Sequence, residues 1–382
     1  MKPAGSDVAP MTEELSCRLL ILDDFFPNLI SGFRVAEFNS LFRAFPRSRC
    51  ASISPEFLTV YPAYANRYPE FADRISFFGG DIPRATDLVY CVGLNTLEFY
   101  RPFIELRGVP FVLELYPGFG MRLDDAESDR ALDAAIHSQW FRKVIVTQAI
   151  TFDYVQRRFH LPASEIVFKY CGVFDDSLWP DHPRRPADDA PLRLGFVANK
   201  YRPGGLDKGY DVFIDAARRL KDLLPNRVRC HIVGPWGPGD RPLGSLRPGR
   251  DIFFHGYQTW PFFSTLYSGI DAVVSPNRAH LLGRGSFDGF PTAAVVDAMA
   301  CGVAAFLSDP MSLNHELRVG REFVLIESEV DAVVEAIMRV LRTPGEMARI
   351  GERGRLRVRR LFDLESQMAP RIAALSTVGS GR

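Results

Sequence analysis

Residues 283–310 read GRGSFDGFPTAAVVDAMACGVAAFLSDP. The stretch opens with a glycine-rich loop carrying one acid, Asp288. An apolar helix is expected over about residues 292–301, with one acid inside it, Asp297. Gly302 stops the helix, and a strand, VAAFLS, runs into Asp309-Pro310. A helix that is apolar on all sides is a core element. A carboxylate inside it needs a partner, because burying an unpaired charge is costly. Sugar hydroxyls suit a carboxylate, which only accepts hydrogen bonds. The helix N-terminus beside Gly289 to Thr292 offers free N–H groups and a positive dipole end to a phosphate. The same residues also read without a ligand: Asp297 paired with a nearby arginine or lysine, and Asp288 as a loop or cap residue.

Working outward, 382 residues exceed one ordinary core, so two domains are expected. Apolar content of 47% and charged content of 24% are those of a globular chain. Lys+Arg and Asp+Glu balance at 46 each, which gives no basic excess for nucleic acid. No apolar run approaches the ~18 residues of a membrane span, and residues 1–16 lack the apolar core of a signal peptide. They are expected to form a disordered tail on a cytoplasmic protein. The six cysteines have no zinc-like spacing and the seven histidines no HxxxH cluster, so buried thiols and no metal site are expected.

The N-terminal half alternates strand-like runs (residues 18–24, 49–53, 88–92, 111–116 and 143–147) with helical stretches. That alternation predicts a parallel sheet covered on both faces. Loops at the strand C-terminal ends line the ligand crevice of such sheets. Gly32, Glu114, Tyr116, Gly118, Thr147 and Gln148 are therefore candidates there, with turn and capping roles as the plainer reading. Residues 179–191, WPDHPRRPADDAP, read as a linker. A second domain over 192–362 opens with a strand, a basic glycine loop holding Lys200, Arg202 and Lys208, and a helix. Positive charge beside helix N-terminal amides suits a diphosphate, and an ordinary solvated loop is the alternative. The first domain spans 17–178, and residues 363–382 are expected to form a helix packed back on it. The basic run RGRLRVRRLF fits an anionic membrane surface, a solvated face or an interdomain contact.

Six motifs then stand in one order between residues 208 and 302: KG, HIVG, FHG, DAVVSPN, DGFPT and DAMACG. As a set they resemble the C-terminal half of the retaining GT-B glycosyltransferases of family 4, the glycosyl transferases group 1. The resemblance implies an α/β fold of GT-B architecture, with two Rossmann-like domains whose parallel sheets face across a cleft. It implies a nucleotide-sugar donor held by the second domain, a glycan or lipid-linked acceptor, and neither metal nor other cofactor. Lys208 would hold the donor diphosphate, with Lys200 or Arg202 in place of the family's arginine. Asp288 would orient the donor sugar, and Asp297 would take the ribose hydroxyls. Gly289, Phe290 and Thr292 would line diphosphate and sugar through their backbone, and Gly32 would lie near phosphate and acceptor. Lys208 and Asp288 are the expected catalytic pair. The family's two acids are usually glutamates with seven residues between them, whereas here eight residues separate two aspartates, and Pro291 lacks an N–H. The segment LYPGFGM also lacks the histidine that the family often carries there. An epimerase or phosphorylase on the same architecture, or a non-catalytic binding subunit, is the alternative.

Overall fold

In the computed structural model, described residues are 17–170, 174–175 and 190–381. The expected tail, Cys171 and nearly all of the expected linker lie outside them. Short apolar runs become strands, the inner ones buried on both faces, as parallel sheets require. The first sheet holds β1 (Leu19–Asp23), β2 (Arg49–Ser52), β3 (Ile75–Phe77), β4 (Leu88–Val92), β5 (Phe111–Leu115), β6 (Phe141–Val146) and β7 (Ile166–Phe168). The second holds β8 (Leu192–Val197), β9 (Val228–Val233), β10 (Ile252–Phe254), β11 (Ala272–Ser275), β12 (Ala304–Leu307) and β13 (Val324–Leu325). Their orders are β3-β2-β1-β4-β5-β6-β7 and β10-β9-β8-β11-β12-β13, with every pairing parallel. The order reverses between β1 and β4 and again between β8 and β11, so each sheet opens a crevice at its strand C-terminal ends there. Two strands escaped the sequence reading, β3 and β7, because three residues are too few to show a period.

The helices of the first domain are α1 (Gly32–Ala44), α2 (Phe57–Arg67), α3 (Leu94–Arg107), α4 (Ala126–Ile136) and α5 (Ala149–Phe159). Those that follow are α6 (Tyr210–Leu223), α7 (Trp260–Gly269), α8 (Ala293–Ala300), α9 (Val330–Leu341), α10 (Glu346–Leu361) and α11 (Leu364–Gly379). No helix among the described residues is long and apolar enough to cross a membrane. Helix α10 carries the basic run, and most of its arginines are engaged within the molecule. Arg357 binds the carbonyl and carboxylate of Glu316, Arg359 Nε donates to the Ala300 carbonyl at 2.9 Å, and Arg355 pairs with Glu352. Gly351 lets α10 approach closely: a Cβ there would lie 2.1 Å from the Gly302 carbonyl oxygen.

The chain returns to the first domain at its end. Phe174 N donates to the Phe362 carbonyl at 2.8 Å, and Leu364 N to the Phe174 carbonyl at 3.0 Å. Helix α11 then packs on α1, β4, β6 and β7. Arg371 is fully buried, and its Nε and Nη2 donate to Glu114 Oε1 at 3.1 and 2.9 Å. The Tyr90 hydroxyl touches both Glu37 Oε1, at 2.6 Å, and Glu114 Oε2. One hydroxyl carries one proton, so it donates to one carboxyl and accepts from the other. Glu114 is the protonated partner: burial, then the Glu37 charge, push its pKa up to about 8 against the pull of Arg371. Glu37 is held low because, although burial opposes it, Arg371 and Arg34 favour its charge. The Arg371 guanidinium thus balances one net negative charge on two glutamates. Glu114→Gln imitates the protonated carboxyl, and its stability in urea at pH 7 is expected to stay within about 1 kcal/mol of wild type. Arg371→Met leaves the Glu37 charge buried without its cation and is expected to cost about 3 kcal/mol in the same measurement.

Candidate donor site and interdomain cleft

After β8 the chain passes through residues 198–202 into a short 3-10 helix, Pro203–Lys208, which Gly209 ends at φ 65°. A Cβ on Gly209 would fall 2.1 Å from the Pro276 carbonyl oxygen, so only glycine fits between this turn and the exit of β11. Arg278 N donates to the Asp207 carbonyl at 2.9 Å, and Arg278 Nη1 pairs with both oxygens of Asp211 at 3.2 and 3.0 Å. These bonds seat Lys208 beside the β11–α8 connection. Its Nζ donates to Asp288 Oδ1 and Oδ2 at 2.6 and 2.7 Å. The Lys208 side chain is 8% exposed and that of Asp288 26%. The Tyr201 ring centroid lies 4.9 Å from the ammonium. Burial alone would favour neutral lysine, but the charge and hydrogen bonds of Asp288, together with Asp207, outweigh it and raise the Lys208 pKa. Asp288 is therefore neither a cap nor a bare loop acid. It is the counter-ion of a buried lysine.

The expected basic partners of Lys208 are placed differently from one another. Lys200 Nζ pairs with Asp240 at 2.9 Å and lies 5.6 Å from the Trp236 ring centroid, while Arg202 stands exposed at the start of the 3-10 helix. Asp207 was missed by the sequence reading. It is 2% exposed, and neither carboxylate oxygen makes a hydrogen bond with a described residue. Burial raises its pKa while Lys208 pulls it down. The apolar neighbour Leu206 gave no hint that this acid would be enclosed.

Helix α8 is shorter than expected. Thr292 is its N-cap, without a side-chain cap bond, and Cys301 its C-cap. Asp288, Gly289, Phe290 and Thr292 line a small pocket of about 20 Å³ with Ser308 and Asp309. The Phe290 N–H already has a partner, Gln148 Oε1 of the first domain, at 3.3 Å. A second bond crosses between the domains from Leu123 N to the Gly285 carbonyl at 3.0 Å. A Cβ on Gly285 would lie 1.7 Å from the Leu123 carbonyl oxygen, so this contact also demands glycine.

Asp297 lines a different space. With Gly32, Phe33 and Asn39 of α1, Arg67 of α2 and Trp260 of α7, it borders an interdomain cavity of about 460 Å³. The Arg67 guanidinium lies 5.4 Å from the Trp260 ring centroid, reaching from one domain to the other. The arginine or lysine weighed as a partner for Asp297 is not found among the described residues: burial alone acts on its carboxylate, with no charged or hydrogen-bonding neighbour beside it. Burial pushes its pKa up to about 7. A Cβ on Gly32 would meet nothing within 4 Å, so this glycine leaves room open toward the cavity.

Two acceptor-side candidates are corrected. Tyr116 is 3% exposed, and its hydroxyl donates to Glu37 Oε2 at 2.7 Å inside the buried network, so its polar atom does not reach the cleft. Glu114 is withdrawn for the same reason, because its side chain turns toward Arg371. Gly118, at φ 79°, opens the turn that Met121 N closes on its carbonyl at 2.8 Å. Among the described residues no group of three or more His, Cys, Asp or Glu is placed to hold a metal ion.

Residues 204–357, which contain Lys208, Asp288 and Asp297, match the family described as glycosyl transferases group 1. The similarity to this family is confined to that segment, which lies in the second domain. The architecture of the chain is GT-B. None of the curated proteins matches it. Among solved structures it resembles Anabaena Alr3699/HepE in complex with UDP and glucose, at 16% identity and TM-score 0.70, covering 94% of this chain and 100% of that one. It also resembles sucrose-phosphate synthase from Thermosynechococcus elongatus, at 15% identity and TM-score 0.64, covering 96% and 100%. A third is WaaG, a glycosyltransferase involved in lipopolysaccharide biosynthesis, at 11% identity and TM-score 0.59, covering 94% and 99%.

The unpartnered Asp297 has a measurable signature. Its raised pKa means the folded state holds a proton that the unfolded state releases. The resulting penalty is absent below the ordinary value of 3.8, grows as pH rises, and is complete above about 7. Asp297→Asn removes it. The variant is expected to gain at least about 1 kcal/mol over wild type at pH 8, with the gain fading toward pH 4, in parallel denaturant titrations.

Proposed function

We propose that this chain is a retaining glycosyltransferase that moves a sugar from a nucleoside-diphosphate donor to a hydroxyl of a glycan or lipid-linked acceptor. The observation that carries the reading is the bidentate Lys208–Asp288 pair beside the N-terminal end of α8. A buried ammonium next to free helix-end amides suits a diphosphate leaving group. The adjacent carboxylate suits sugar hydroxyls. Asp297 would meet the ribose from inside the cleft, and the acceptor would enter on the Gly32 side.

In this mechanism the bond between the anomeric carbon and the diphosphate breaks toward an oxocarbenium-like state. Lys208, the exposed Arg202 and the α8 amides stabilise the charge that develops on the diphosphate, the kind of electrostatic term that usually dominates catalysis. The acceptor hydroxyl attacks from the face the leaving group vacates. A leaving-phosphate oxygen takes its proton, so no separate protein base is needed. Asp288 orients the sugar. Lys200, bound to Asp240, would contribute only after leaving that partner.

HepE is recorded in complex with UDP-glucose, which makes UDP-glucose the first probe. Thermal-shift screening against UDP-, GDP- and dTDP-sugars is expected to raise the melting temperature with one nucleotide class, by mass action on the native state. Lys208→Met is expected to abolish that shift and to lower transfer at least ~100-fold. A flat response to all three classes would sink the donor assignment.

A further inference from the structure

Lys208 has three N–H donors, and two face the oxygens of Asp288 at 2.6 and 2.7 Å. The third side of the ammonium is covered by the Tyr201 ring, 4.9 Å away. Without a ligand the lysine is thus already neutralised, and a diphosphate can reach it only by displacing one of these two neighbours. Tyr201 is 56% exposed. Asp288 is the neighbour with the charge that matters, because a carboxylate left beside a diphosphate repels it.

We propose, resting on the donor reading above, that Asp288 is a placeholder anion that trades Lys208 for the donor sugar. When an intact nucleotide sugar binds, the diphosphate takes the ammonium and the sugar hydroxyls donate to the freed carboxylate. Both partners of the broken ion pair are then satisfied. When a nucleoside diphosphate binds without a sugar, the carboxylate has no hydroxyl to replace the lysine and stays charged beside the phosphates. The site therefore disfavours its own spent nucleotide, and Asp288 couples sugar recognition to product release. Asp207 lies beside the pair, its carboxylate buried and without a hydrogen bond to any described residue.

Calorimetric titration of the full-length chain tests this with UDP, GDP and dTDP, the matching UDP-, GDP- and dTDP-sugars, and inorganic pyrophosphate. Asp288→Asn keeps the shape of the side chain and removes its charge. The variant is expected to bind the nucleoside diphosphate and pyrophosphate about tenfold or more tighter than wild type, as loss of a neighbouring like charge dictates. It is also expected to lose the preference for nucleotide sugar over nucleoside diphosphate. Melting curves establish folding, and Asp288→Ser serves as the second variant should the asparagine form not fold. Nucleoside-diphosphate binding that is unchanged or weaker in the folded variants overturns the placeholder role. Lys208→Met separates this failure from that of the donor reading. If wild type binds a nucleoside diphosphate and Lys208→Met does not, the donor site stands whatever Asp288 does. If Lys208→Met binds as well as wild type, or wild type binds none of the three nucleoside diphosphates and none of the matching nucleotide sugars, the donor site falls and the exchange falls with it.

Discussion

A buried ammonium must be given counter-charge, and in this molecule that demand falls on Lys208. Three separate segments converge to meet it: the 3-10 helix that follows β8, the loop before α8, and Tyr201. The convergence needs a close approach of backbones that only Gly209 permits, pressed against the Pro276 carbonyl. Arg278 then ties the same turn to α6 through Asp211. The lysine stays charged because the acids around it outweigh its loss of water. A site assembled this way is stiff and electrostatically poised before any ligand arrives, which is what stabilising a leaving diphosphate asks of it.

The two acids of the diagnostic stretch divide the work by location. Asp288 faces a buried cation, whereas Asp297 borders the interdomain cavity without an ion pair to any described residue. Their environments set them apart: one is held by a charge partner, the other is pushed toward neutrality by burial. A neutral carboxyl can both donate and accept, so Asp297 can match hydroxyls in either direction. The loop between them is steadied from the opposite domain by Gln148 and Leu123. The two domains therefore share one surface at this loop.

The second long-range device is the return of the chain to its first domain. Helix α11 inserts Arg371 beneath the first sheet, where Glu37, Glu114, Tyr90 and Tyr116 share its charge and one proton. Buried polar clusters of this kind are tolerable only when every member is satisfied. This one meets that condition by keeping a glutamate protonated near neutral pH. It also accounts for the displacement of Tyr116 and Glu114 from the acceptor side, since their polar atoms are consumed here.

The sequence alone determined the alternation of strands and helices, the two sheets and the identity of the three central charges. Apolar runs bounded by glycine announce parallel strands, and an acid or lysine in such surroundings announces itself by its cost. It could not say which group satisfies which charge. Asp288 and Lys208 are 80 positions apart, and Glu114 and Arg371 are 257 apart. Partners at that separation are chosen by strand order, helix rotation and domain docking, none of which leaves a local pattern. For the same reason Asp207 went unnoticed, Gln148 stood open between a crevice role and a capping role, and Tyr116 read as a cleft residue. Only the tertiary structure decides where a side chain points, because burial and partnership are properties of the packed whole.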